Sequence, residues 1–222
     1  MPSSSRRTPR ISPLRWPPGA VPVRFLRVAA ICVACSSCSM FGPSQRVSPK
    51  QAMAAPNAPF AEQAIVVQVR PDAQLNVALG QAHTLVLGVL QAPRTDTLSV
   101  LADQPARVEQ ALVSAREAPG LLQITRFIIQ PGQRCTARVD RVRGALAVGL
   151  ALGYAQPGSG RRLRVFEVPV GLSSSGWVLR SYMASAQPLH IRLLLGPTEV
   201  LAAEAARAAG PDAPACQSWT TP

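Results

Sequence analysis

From residue 64 onward the chain breaks into short apolar runs at regular spacing, each closed by a turn signal, and this rhythm limits the body to a sheet architecture. The first run, 65–70, is β-branched and stops at Pro71-Asp72. Others cover 83–91, 122–129, 134–139, 162–168, 177–180 and 189–195, several with clean period-2 alternation. Residues 144–154 are almost continuously apolar, the pattern of a strand buried on both faces. Pro131-Gly132 marks a sharp turn between two of the runs. Seven or eight such strands predict a mainly β chain folded as an antiparallel β-sandwich.

One stretch has a different period. Beginning at Pro105, the residues Val108, Ala111, Leu112 and Ala115 fall on one helical face, with Arg107, Glu109, Arg116 and Glu117 outside. Asp103 is placed to cap this helix, with Pro105 in its first turn and Pro119-Gly120 at its end. The Ala-rich segment 199–209 reads either as a helix ended by Gly210 or as an extension of the last strand.

The N-terminal third has neither period. Six arginines and no acid precede a short apolar run at 28–34, followed at once by Cys35, in the order of an export signal. The run falls short of the ~20 apolar residues needed to span a bilayer. Residues 39–60 are Pro-, Ser- and Ala-rich and read as a flexible tether. The expected organisation is a signal peptide over 1–34, a tether over 35–62, a sandwich over 63–197 and a C-terminal tail, helical or not, over 198–222. Charge is concentrated in the leader. The whole chain carries 23 basic and 11 acidic residues, and removal of those six arginines lowers the net charge from +12 to +6. What remains is scattered arginine without interleaved aromatics, which argues against nucleic acid as a partner.

Catalytic patterns are missing from the sequence. No G-x-S-x-G elbow, phosphate loop or H-E-x-x-H occurs. The two histidines, His83 and His190, lie inside predicted strands, so neither an enzyme nor a metal or cofactor site is expected. Cys135 and Cys216 either pair in an oxidising compartment or remain free thiols. The most promising binding element is 71–81, a connection of about ten residues where a hairpin takes two to five. Alternation of Leu75, Val77 and Leu79 leaves an added strand as the other reading. A small ligand or glycan held between the sheets is the alternative function, and it requires an aromatic-lined pocket.

The order of features resembles a known family. Val33-Ala34-Cys35, with Ser36-Ser37-Cys38 behind it, is similar to a bacterial lipobox. The first strand is followed by Leu75-Asn76, Gly80 and an apolar strand ending in Leu90-Gln91. An insert over 98–118, a Pro131-Gly132-Gln133 turn and an apolar run ending in Tyr154 complete the series. Together these resemble the type VI secretion lipoprotein family TssJ, also called SciN or VasD, over about 64–195. The resemblance implies a transthyretin-like sandwich acylated at Cys35, or at Cys38, and held in the outer membrane facing the periplasm. Ser36, where an Asp would retain a lipoprotein in the inner membrane, agrees with that destination. It also implies a non-enzymatic role: binding the periplasmic domain of a TssM-like inner-membrane protein. The contact would use the loop after the first strand, here Asp72, Gln74, Asn76, Gly80 and Gln81.

Overall fold

The computed structural model describes residues 46–114, 119–156, 162–177, 180–208 and 213–219. Two sheets face each other. The first is built from β1 (Ala61–Pro71), β4 (Cys135–Arg141), β9 (Leu189–Leu195) and β10 (Val200–Ala206), in the order β10-β9-β1-β4. The second contains β2 (Leu85–Ala92), β3 (Gln123–Ile129), β5 (Ala147–Leu152), β6 (Leu163–Glu167) and the two-residue β11 (Gln217–Ser218), in the order β11-β3-β2-β5-β6. A separate hairpin joins β7 (Val170–Ser175) to β8 (Ser181–Ala186). The expected β-sandwich is therefore present, with one departure from a purely antiparallel design. β9 lies parallel to β1, from Ile65 opposite Leu189 to Pro71 opposite Leu195.

Period-2 side chains explain the core. Ile65, Val67 and Val69 of β1, Ala137 and Val139 of β4, and Leu189, Ile191 and Leu193 of β9 meet Leu85, Leu87 and Val89 of β2 and Val148, Leu150 and Leu152 of β5. Each fully buried aliphatic side chain contributes roughly 1.5–3 kcal/mol. The continuous apolar run in β5 has a second cause. Its other face, Ala147, Gly149 and Ala151, is covered by α2 (Thr95–Ala102) and α3 (Pro105–Val113) through Leu98, Leu101, Val108 and Leu112. Small residues are needed there. A Cβ on Gly88 would meet Leu112 Cδ2 at 2.7 Å, and one on Gly149 would meet Leu163 Cδ1 at 2.9 Å.

Gln91, fully buried at the end of β2, links the sheets. Its Nε2 donates to the Asp140 carbonyl (2.8 Å), and its Oε1 accepts from the Val142 N–H (3.0 Å). The Leu-Gln pair of the sequence is thus an aliphatic core residue followed by a polar bridge across to β4.

Four expectations need correction. The segment 199–209 is a strand over Val200–Ala206, not a helix. An eleven-residue helix is marginal in water, whereas the Gly196–Glu199 turn returns the chain to the open edge of β9, where pairing satisfies its backbone. Of the expected strand 177–180, Trp177 and Arg180 are not in a strand but lie between β7 and β8, and 178–179 are outside the described residues. Gln104, not Asp103, is the N-cap of α3, because Asp103 closes the preceding α2. The predicted tether is structured near its end: α1 (Pro49–Ala54) is closed by a Ser48–Gln51 capping box, and Asn57 bridges to Ser185. That helix is one and a half turns, too short for a hydrophobic period to show.

Candidate functional site

The connection from β1 to β2 is a braced loop, not a strand. Asp72 starts it: Oδ1 accepts from the Gln74 N–H (2.7 Å), and its carbonyl accepts from Gly132 N–H (2.9 Å), which ties the loop to the turn before β4. Leu75 is fully buried and roots the loop in the core. Asn76 is also buried, with φ +52°. Its Nδ2 donates to the Thr84 carbonyl (2.7 Å) and its Oδ1 accepts from the Ala155 N–H (2.8 Å). Asparagine tolerates this left-handed backbone better than most side chains. Val77 N–H donates to Pro197 O at 3.0 Å, adding the β9–β10 turn as a further support.

Beyond these braces the chain folds back tightly. Ala78 and Gln81 exchange backbone hydrogen bonds of 3.0 and 3.1 Å around Leu79 (φ +52°) and Gly80 (φ +78°). Positive φ at both central positions is the I′ pattern, which favours Asn or Asp followed by Gly. Gly80 fits; Leu79 does not, and its side chain is 96% exposed. An aliphatic residue held in a strained conformation and fully in water costs stability, and such positions cluster where a surface is used. His83 braces the same turn, its N–H donating to Leu75 O (3.0 Å) and Nε2 lying 3.2 Å from Ala78 O.

Tyr154 holds the neighbouring turn. Its hydroxyl is shared between the carbonyls of Glu199 (3.0 Å) and Gly196 (3.2 Å). Burial, reinforced by the Glu199 carboxylate, pushes its pKa well above the usual tyrosine value. Loop 72–84, the 196–199 turn and residues 154–155 are therefore one hydrogen-bonded cluster at the end of the domain where β1 finishes.

The residues singled out by sequence divide unequally. Asp72, Gln74, Gly80 and Gln81 are exposed on this cluster. Asn76 is not available as a contact, because both ends of its amide are committed to backbone groups, so it positions the loop. Sequence reading missed Leu79 as a surface feature and used it only as a sign of alternation. A Leu immediately before Gly, in a segment with no second long apolar run to pair with, was the signal present. Cys35 and Cys38 lie outside the described residues. Cys135 and Cys216 are joined by a disulfide, with Cα atoms 4.9 Å apart across 81 residues of chain. It draws the tail from β4 to β3, where β11 pairs with Phe127 and Ile128.

Other surfaces offer less chemistry. Among the described residues no group of three or more His, Cys, Asp or Glu is placed to hold a metal, and no helix is long and apolar enough to cross a membrane. The space between the sheets is filled by core side chains. A groove of about 400 Å³ lies beside α2, and one of about 330 Å³ on the outer face of β1, β9 and β10; neither is lined by an aromatic residue.

No protein-family model and no curated protein matches the chain. Solved structures do. The chain is similar to the T6SS lipoprotein TssJ1 from Pseudomonas aeruginosa, with 20% identity and TM-score 0.44 over 65% of this chain and 97% of that one. It is similar to Serratia marcescens Lip, a membrane bound component of the Type VI Secretion System, with 14% identity and TM-score 0.42 over 65% and 98% of the two chains. It also matches a chain in a structure of the T6SS protein TssM C-terminal domain from EAEC, with 17% identity and TM-score 0.39 over 62% and 97%.

Proposed function

We propose that this chain is a lipid-anchored periplasmic adaptor of a type VI secretion complex. In this reading an acylated Cys35, or Cys38, holds it in the outer membrane, and loop 72–84 binds the periplasmic domain of a TssM-like inner-membrane protein. The lipobox-like residues and the ordered series from Leu75-Asn76 to Tyr154 support the family assignment. The observation that carries the contact is the Ala78–Gln81 turn: Leu79, strained and 96% exposed, is presented on a loop braced by Asn76 and by the turns around it.

The role is mechanical. β1 runs eleven residues from Ala61 to Pro71, a span of roughly 35 Å at ~3.3 Å per residue. Loop 72–84 lies at its far end, and the chain enters from the N-terminal side at its near end. A partner gripped by the loop is thus separated from the point where the chain enters the sandwich by the length of β1. One acyl chain anchors only marginally, so two or more are required.

Two experiments test this reading. Labelled palmitate is incorporated into the full chain and is lost in Cys35→Ser or, if the second cysteine is used, in Cys38→Ser; incorporation unchanged in the double variant removes the anchor. Pull-down with the periplasmic region of the TssM-like protein loses its signal when residues 72–81 are replaced by a short Gly/Ser loop. Undiminished binding places the contact elsewhere.

A further inference from the structure

The β7–β8 hairpin has no role in the loop contact, yet it carries a concentration of exposed apolar side chains. Trp177, at its tip, is 97% exposed. Met183 and Leu172 are 58% and 46% exposed. They belong to the third and fourth cross-strand pairs from the tip, roughly 7–10 Å behind it. Successive pairs alternate sides, so Met183, opposite Ser173, and Leu172, opposite Ala184, leave opposite faces of the ribbon. An aromatic tip with apolar residues on both faces behind it is built to enter a medium, not to lie flat on a surface.

The path of the chain identifies that medium. Val47 O accepts from the Tyr182 N–H (3.1 Å) near the hairpin tip. Asn57 then pairs with Ala184 and Ala186 nearer the base, with α1 packed between on β7 and β8. The polypeptide therefore arrives at the tip and runs from there toward the sandwich. Only ten residues lie between Cys35 and Arg46, at most ~40 Å of extended chain. The hairpin's base contacts the near end of β1: Val168 N–H donates to Leu146 O, and Arg141 Nη1 donates to Gln187 O (3.0 Å). That is the pole opposite loop 72–84. Charge agrees: 46–60 and 168–188 contain Arg46, Lys50 and Arg180 and no acidic residue, the nearest acids being Glu62 and Glu167 at the hairpin's base.

We infer that the β7–β8 hairpin is a second membrane attachment, its Trp177 tip entering the interfacial layer of an anionic phospholipid surface beside the acyl anchor. Tryptophan and basic side chains favour this layer, where an amphipathic ring sits at the headgroup level. The inference rests on the anchored reading in one respect: the short link to Cys35 is what keeps the hairpin at the bilayer. A lipid anchor alone leaves the domain free to swivel; a second point of contact aims loop 72–84 away from the membrane, toward the periplasm.

The test uses the full chain with Trp16→Phe and Trp219→Phe, so that Trp177 is the single indole. It is reconstituted into phosphatidylethanolamine and phosphatidylglycerol vesicles with acyl chains brominated near the headgroup. Trp177 emission moves to the blue and is quenched about twofold or more, as expected for a ring at the interface. Solvent-like, unquenched emission from vesicle-bound chain overturns the inference. So does a blue shift produced by the TssM-like periplasmic domain and not by vesicles, which makes the tip a protein contact. The same chain carrying Cys35→Ala and Cys38→Ala, added to preformed vesicles at high lipid concentration, separates the two readings. Quenching there, with no palmitate incorporated by the unsubstituted chain, supports the hairpin and removes the acyl anchor.

Discussion

Asn76 was identified in the sequence as a partner contact, and the structure gives it a different task. Its amide joins Thr84 O, at the end of the same loop, to the Ala155 N–H beyond β5, in a left-handed conformation. Asn76→Ala removes two part-buried hydrogen bonds, to Thr84 O and from the Ala155 N–H, and is expected to cost about 1–3 kcal/mol in urea unfolding. It also weakens partner binding indirectly by freeing the loop. Tyr154 acts at a distance that spacing cannot show, reaching Gly196 and Glu199 from the end of β5. Its folded-state pKa is raised above the unfolded value of about 10. The stability it contributes is therefore complete below about pH 10 and falls as pH rises toward the folded value. Denaturant midpoints measured from neutral pH to about pH 11 should show that decline. Tyr154→Phe, starting lower for want of its hydrogen bonds, should lose this component of it.

Strands that face the core were legible as elements, because burial on one face imposes period 2. β1, β2, β3, β4, β6 and β9 lie where alternation or β-branching puts them, and β5 where a continuous apolar run does. The elements missed have no such face. β7 reads Val-Gly-Leu-Ser-Ser-Ser, with its last four residues exposed, so no apolar period marks it. β10 is alanine-rich and half-exposed at a sheet edge, where pairing with β9 overrides local helix propensity. α2 was merged into a longer insert because Asp103 and Pro105 gave a start signal for α3 alone. The contact between helices and sheet makes its own prediction. Gly88→Val drives side-chain atoms into Leu112, whose Cδ2 is already within 2.7 Å of a Cβ built there. A loss of about 1–3 kcal/mol is expected, read as a fall of several degrees in Tm. Gly88→Ala should fall between Val and the parent, since only the methyl must be accommodated.

At the scale of the whole molecule, the sandwich separates two differently equipped ends. One pole carries a braced loop with Leu79 at its turn; the other receives the N-terminal chain beside a Trp-tipped hairpin. The sequence pointed to the first pole through an over-long connection and an Asn-Gly series. It pointed to the anchor through a leader and a cysteine. It could not join them, because their separation depends on β1 and β9 lying parallel, a pairing between residues more than a hundred positions apart. The central claim is that the partner is bound at the loop pole alone. Its most direct test is the affinity of the full chain for the periplasmic domain of the TssM-like protein, compared among the parent, Leu79→Asp and Trp177→Ser. Both substitutions are at exposed side chains, and Asp suits the left-handed turn position better than Leu, so thermal unfolding that is not lowered in either variant serves as the control. The account predicts that Leu79→Asp weakens binding about tenfold or more, as for an exposed anchor residue, while Trp177→Ser leaves Kd unchanged. Equal affinity for parent and Leu79→Asp, or a loss confined to Trp177→Ser, would contradict it.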